Sequence, residues 1–142
     1  MTRLNTAENR LHQACNVPSA LDAACDAFED ILAVIGSYEE TATNTGAAIV
    51  FLLVATQAAN GRDALLFAPS LPRRGLHPRP ALGQLERGSA SDITAAVTGL
   101  SRLLASRLAC TATAAAGADQ TACHDAARYA RKVHDLLAGE DP

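Results

Sequence analysis

The chain has 142 residues, of which 49% are hydrophobic and 19% charged; this excludes an intrinsically disordered protein and suffices for one buried core. Its 31 alanines, five aromatic residues and lack of tryptophan favour closely packed helices over a β-sandwich. The net charge of −3 is too small to predict binding to nucleic acid or to an anionic membrane. We therefore expect a single helical domain over residues 1–142.

Two helices are predicted before residue 41. Apolar residues at helical spacing indicate the first helix over about residues 2–15. Pro18 interrupts this pattern, and Ser19 followed by Asp22 has the spacing of a capping box that begins a second helix. The second helix is expected to end near Glu40. Its acidic residues are expected on the side away from the core: Asp22, Asp26, Glu29 and Asp30.

The third predicted helix begins at Asn44 or Thr45 and ends at Ala59, because the following Asn60-Gly61 pair is typical of a helix stop. A short helix over residues 63–68 is expected next. The third helix has apolar residues on every side, so we expect neighbours to cover it and place it at the centre of the bundle.

Residues 69–88 contain four prolines and three glycines, which predicts a long exposed loop. Four arginines against one glutamate give this loop a charge of +3, whereas residues 1–60 carry −5. The loop has no aromatic residue for stacking on bases and no recognition helix after it, so we expect no nucleic-acid binding. A basic loop beside an acidic body is suited to pairing with a second copy of the chain or with another protein.

Two further helices follow the loop. Ser89 or Ser91, together with Asp92, is suited to cap a fourth helix that ends in the alanine-rich run before Gly117. A fifth helix is expected up to Ala138. The fold class is therefore an all-α bundle of four to five main helices with a long Pro/Arg-rich loop.

No membrane span or secretory signal is expected. The uncharged stretch 41–61 contains a continuous apolar run of only nine residues, which is too short to cross a bilayer. The N-terminus has no apolar segment of the kind found in signal peptides. We expect a cytoplasmic protein whose four cysteines are free thiols.

Arg107 is the first candidate for a ligand site, because it lies within the apolar stripe of the fourth helix. Glu39 occupies the corresponding place on the second helix. Arginine keeps its charge when buried, so Arg107 requires a carboxylate, an anionic ligand or a route to solvent. Pairing of Arg107 with Glu39 inside the bundle, binding of a small anion, and outward extension of both side chains remain open alternatives.

Aromatic residues define a second candidate, a pocket between helices that binds a small molecule or supports a small enzyme. Its walls would come from Phe28, Tyr38, Phe51 and Phe67, although such residues also serve as ordinary core. The sequence has no motif of a di-iron bundle, zinc protease, serine hydrolase or nucleotide-binding loop. No cofactor is predicted, and whether the protein is an enzyme stays open.

A metal or thiol site is the third candidate. His12 and Cys15 are three residues apart on a helix, and Cys123 is next to His124, so the four side chains suit zinc if the first and last helices touch. Adjacent residues diverge by about 100° on a helix, which disfavours this arrangement. The alternative is that the cysteines are small core residues.

The absence of catalytic motifs and the alanine-rich helix faces lead to one main functional expectation. It is a non-catalytic bundle that acts through a protein interface, as a homodimer or with another protein partner. The alternatives are the small-molecule pocket and the Cys/His site described above.

Overall fold

A computed structural model describes residues 2–39, 45–72 and 89–139, and it confirms the all-α bundle. These described ranges contain five helices. Their bounds are α1 Arg3–Gln13, α2 Val17–Glu39, α3 Thr45–Leu65, α4 Ala90–Ala114 and α5 Gly117–Ala138.

Four of the helices form a ring in which each packs against two neighbours. Around this ring the order is α2, α3, α5 and α4, and α4 closes it by packing on α2. The remaining helix, α1, lies against both α2 and α4. The core between the ring helices is made mainly of aliphatic side chains and alanine, with Phe28 fully buried among them. One side of the bundle is therefore covered by α1, and the opposite side is formed by α3 and α5.

The start of α2 is capped by Asn16 rather than by Ser19. The backbone N–H of Ser19 donates to Oδ1 of Asn16 at 2.8 Å, and the N–H of Asn16 donates to the Ser19 hydroxyl at 3.2 Å. This reciprocal pair is a capping box that lies three residues earlier than predicted. Pro18 consequently falls in the first turn of α2, where its missing N–H is not needed.

The predicted stop at Asn60-Gly61 is wrong, because α3 continues to Leu65. Gly61 has no positive φ angle and lies against the ring of Phe28. A Cβ atom at this position would come within 2.4 Å of two atoms of that ring. Gly61 therefore permits close approach of α2 and α3 instead of ending the helix, and the separate helix predicted over 63–68 does not form.

The predicted cap of α4 is confirmed at Ser89, whose hydroxyl accepts from the N–H of Asp92 while the Asp92 carboxylate accepts from the N–H of Ser89. At the far end of α5, Gly139 adopts a left-handed conformation with φ 74°, which favours glycine. The buried face of α5 is formed by six residues: Ala122, Cys123, Ala126, Ala127, Ala130 and Val133.

The first part of the predicted loop is fixed to α5. The N–H and hydroxyl of Ser70 donate to the two carboxylate oxygens of Asp119, at 3.0 and 2.5 Å. The end of α3 therefore lies beside the start of α5, and the start of α4 lies about 37 Å away at the other end of the bundle. Residues 73–88, which hold most of the predicted loop, lie outside the described residues.

Within the described ranges, no helix has the combination of length and hydropathy that a membrane crossing requires.

Candidate functional site

The outer side of α3 is an exposed apolar surface. Ile49, Leu52 and Leu53 are 54%, 55% and 44% exposed, and with Thr56 they have the i, i+3, i+4, i+7 spacing of one helix face. We call these four residues the α3 outer stripe. The inner face of α3 is buried against α2 and α5: Phe51, Val54, Ala58, Gly61 and Leu65.

The prediction that α3 lies at the centre of the bundle is therefore wrong. The substantial contacts of α3 are with α2 and α5, and the described helices do not cover its remaining side. A helix that is apolar all round is expected to be covered on all sides. Among the described residues, the α3 outer stripe is left uncovered by neighbouring helices.

Thr56 is the polar residue of the α3 outer stripe. Its hydroxyl donates to the carbonyl oxygen of Leu52 at 3.0 Å, so its hydrogen-bonding capacity is partly used within the helix. Residues 45–61 contain no charged side chain. The stripe is consequently a neutral surface, whereas α5 exposes three basic residues: Arg128, Arg131 and Lys132.

A groove of about 580 Å³ lies between α3 and α5, next to the α3 outer stripe. Two aromatic rings, Phe67 and Tyr129, and two carboxylates, Asp63 and Asp125, line it together with small residues. Phe67 is 82% exposed. Arg128 and Lys132 lie over the Tyr129 ring at 5.4 and 5.3 Å from its centre, which places positive charge beside the groove.

Arg107 lies at the corner where α1 ends and α2 begins. Its Nη2 donates to the carbonyl oxygen of Ala14 at 2.8 Å, and its buried Nε has no hydrogen-bond partner among the described residues. Ala14 is the C-cap of α1, so the guanidinium satisfies a carbonyl at a helix end and opposes the negative end of the helix dipole. A pocket of about 150 Å³, the corner pocket, adjoins Arg107.

Arg107 and Glu39 do not lie together. Arg107 bonds to a residue just before α2 begins, whereas Glu39 is the last residue of α2, about 33 Å along the helix. The predicted Arg107–Glu39 pair is thus excluded by the position of the two backbones. The Glu39 side chain lies outside the described residues.

The aromatic residues predicted to line an inner pocket occupy different environments. Phe28 and Phe51 are 0% and 4% exposed and are part of the core, so they fill space rather than enclose it. Tyr38 is partly buried and packs against the same core. Phe67 lines a groove on the surface between α3 and α5.

The four predicted metal ligands are not brought together. His12 and Cys15 are exposed at the end of α1, Cys123 is buried in α5, and His124 faces solvent. The main contacts of α1 are with α2 and α4 rather than with α5. Over residues 2–39, 45–72 and 89–139, no three His, Cys, Asp or Glu side chains are close enough to hold a metal ion.

Cys123 is surrounded by core. Burial raises the pKa of its thiol to about 11, and the negative charge of Asp119 adds to the shift. The thiol is therefore protonated and unreactive at neutral pH. This matches the alternative that sequence analysis gave for the cysteines, a small residue packed in the core.

The sequence prediction missed an array of ion pairs between α1 and α2. Arg10 bonds to both Asp22 and Asp26, and Arg3 lies 3.7 Å from Asp30. Asp26 and Asp30 are 5% and 2% exposed, although they were expected on the solvent side. Their spacing is a detectable signal, because three aspartates at i, i+4 and i+8 match two arginines seven residues apart on α1.

Comparison with known proteins adds no assignment: no family model, no curated protein and no solved structure matches this chain.

Proposed function

We propose that the protein acts through a protein–protein interface and that this interface is a homodimer formed by the α3 outer stripe. The observation behind the proposal is the exposure of Ile49, Leu52 and Leu53 on one face of a helix whose other face is core. Apolar surface of this kind is stabilised when a second apolar surface excludes water from it.

The absence of charge on the α3 outer stripe favours a second copy of this chain as the partner. A two-fold interface brings the same residues of both copies together, so a charged surface repels itself and a neutral one does not. Residues 45–61 carry no charge, in contrast to the basic face of α5. The 3- and 4-residue spacing of the stripe suits the packing of side chains from one helix between those of another.

The alternatives proposed from sequence receive less support. An inner small-molecule pocket lacks its walls, since Phe28 and Phe51 are core residues. An anion bound at Arg107 would need free backbone N–H groups at the start of α2. The N–H groups of Asn16 and Ser19 already donate to each other's side chains. The described structure gives no group of ligands for a metal.

We also place the protein in the cytoplasm. All four cysteines are free, which is the state that a reducing compartment maintains.

The test is the mass of the protein in solution, measured by sedimentation velocity over about 1–100 µM, which detects dissociation constants of micromolar magnitude. We expect a species of twice 14.7 kDa. Leu52→Glu combined with Leu53→Glu places two negative charges in the stripe, and we expect this variant to sediment as a monomer with unchanged helical content.

Leu66→Glu is the matched control. Leu66 is 55% exposed, as Leu52 is, but it lies beyond the end of α3, about 20 Å along the helix axis. We expect Leu66→Glu to remain dimeric. A wild-type protein that is monomeric at 100 µM rejects the homodimer, and a Leu66→Glu variant that dissociates as fully as the stripe variant rejects the stripe as its interface.

A further inference from the structure

The four cysteines divide into two classes by exposure. Cys25 and Cys123 are fully buried in the core, whereas Cys15 and Cys110 are exposed. A reagent in solution therefore meets Cys15 and Cys110 first, because access controls the modification of thiols.

The two exposed cysteines line the same pocket although 95 residues separate them in sequence. Cys15 belongs to the linker between α1 and α2, and Cys110 lies one turn after Arg107 on α4; both line the corner pocket of about 150 Å³. Three of the nine lining residues are alanines, Ala14, Ala20 and Ala114, so little side-chain volume occupies the space beside the thiols.

Arg107 holds the two parts of the corner pocket in place. Its hydrogen bond to the carbonyl oxygen of Ala14, the residue before Cys15, attaches the α1–α2 linker to the turn of α4 that precedes Cys110. The ends of the linker are also fixed, since Ala14 caps α1 and Asn16 bonds to the first turn of α2. Both cysteines thus lie on ordered backbone that lines one small pocket.

We propose that Cys15 and Cys110 form a dithiol modification site, at which a peroxide joins them as an intramolecular disulfide. One thiol attacks the O–O bond of hydrogen peroxide, becomes a sulfenic acid and releases one water. The second thiol attacks the sulfenic sulfur, the S–S bond forms and a second water leaves. Two thiols are oxidised, one peroxide is reduced to two waters, and no further reactant is needed.

The site is independent of the proposed homodimer, because the corner pocket is formed by the α1–α2 linker, α2 and α4, and the α3 outer stripe is on another helix. The disulfide would tie the α1–α2 linker to the end of α4. Its reversal requires only a thiol reductant, which restores both side chains.

The test treats the native protein at low micromolar concentration with a small excess of hydrogen peroxide, then blocks the remaining thiols with an alkylating reagent. Mass spectrometry of unreduced tryptic peptides is expected to show peptide 11–62, which carries Cys15 and Cys25, linked to peptide 108–128, which carries Cys110 and Cys123. The intact chain is expected to lose two hydrogens. Treatment with a reductant should return both masses to their starting values.

Variants separate this pair from the other cysteines. Cys15→Ser and Cys110→Ser should each abolish the linked peptide, whereas Cys123→Ala should retain it, because Cys123 is buried. Peroxide products in which each thiol is oxidised separately to sulfinic acid overturn the proposal. So does a disulfide between two chains as the main product, which appears at twice the chain mass on a denaturing, non-reducing gel.

Discussion

Arg107 and Ala14 join two helices that are far apart in sequence: the guanidinium of Arg107 on α4 donates to the carbonyl oxygen of Ala14 at the end of α1, at 2.8 Å. An arginine on an apolar helix face needs an acceptor, and here the acceptor is the carbonyl at a helix C-terminus. The position that sequence analysis assigned to a ligand site thus has a structural partner within the protein.

Replacing Arg107 should lower stability without removing helices. Arg107→Ala leaves the Ala14 carbonyl without its donor and removes the packing of the arginine stem, and we expect the free energy of unfolding to fall by about 1–2 kcal/mol. Urea denaturation followed by circular dichroism measures this. Arg102→Ala is the control on the same helix, since Arg102 is exposed, and its effect should stay within about 0.5 kcal/mol. Equal effects of the two variants would contradict a structural role for Arg107.

Gly61 should not tolerate a side chain. In Gly61→Ala the new Cβ meets the Phe28 ring at 2.4 Å, and we expect a loss of about 1–3 kcal/mol in stability from overpacking. At Gly36, which is also in a helix, an added Cβ has no atom within 4 Å. Gly36→Ala should therefore be stabilising by up to about 1 kcal/mol, as expected for glycine to alanine inside a helix.

A double variant tests whether Phe28 is the cause. Phe28→Leu destabilises the core by itself. It also removes the ring atoms that the Cβ of Gly61→Ala approaches. The cost of Gly61→Ala should be smaller in the Phe28→Leu background than in the wild-type protein, as thermal unfolding would show. Strict additivity of the two changes would argue against the close approach of α2 and α3.

The Arg10–Asp26 pair should contribute more than an exposed ion pair. Asp26 is 5% exposed, so Arg10→Ala removes the arginine partner of a buried carboxylate. We expect the free energy of unfolding to fall by about 2 kcal/mol. A double-mutant cycle over Arg10 and Asp26 measures their coupling, which we expect at about 1–3 kcal/mol. The exposed pair Asp125–Arg128, 3.7 Å apart, should couple by less than about 0.5 kcal/mol. Similar coupling energies for the two pairs would rule out a special contribution from burial.

Cys123 should make stability decrease in alkaline solution. Its folded-state pKa of about 11 lies above the ordinary value of 9.0, so the unfolded chain releases the thiol proton at lower pH than the folded one does. The stability that the protonated Cys123 thiol contributes to the folded state is complete below about pH 9. It is lost between about pH 9 and 11, and the total loss in the free energy of unfolding is about 2–3 kcal/mol. Denaturation curves measured from pH 8 to 10.5 should fall less steeply for Cys123→Ala than for wild type. Parallel pH profiles would show that this thiol is not the source.

Local features of the fold were predictable from sequence because their causes are local. A 3.6-residue apolar period identifies a helix wherever it lies, and the Ser89–Asp92 capping box forms within four residues of chain. The five helices and the all-α class were therefore accessible without any knowledge of which helices touch.

Part of the candidate site was accessible in the same way, and part was not. The sequence showed that α3 is apolar on all sides, and this predicts burial on all sides. Which side α2 and α5 leave uncovered depends on the order of helices around the bundle, so Ile49, Leu52 and Leu53 became candidates only once α3 was placed at an edge.

What the sequence by itself determined is where helices occur and which residues on most of them are apolar, since both depend on residues within a few turns. What only the tertiary structure decided is the partner of each polar or small residue within the bundle. Asp26 is buried because α1 folds back along α2, Gly61 continues a helix because Phe28 lies against it, and Arg107 bonds to Ala14 because α1 ends beside α4. These contacts join residues 16, 33 and 93 positions apart, and such pairings are set by packing between helices rather than by local propensity.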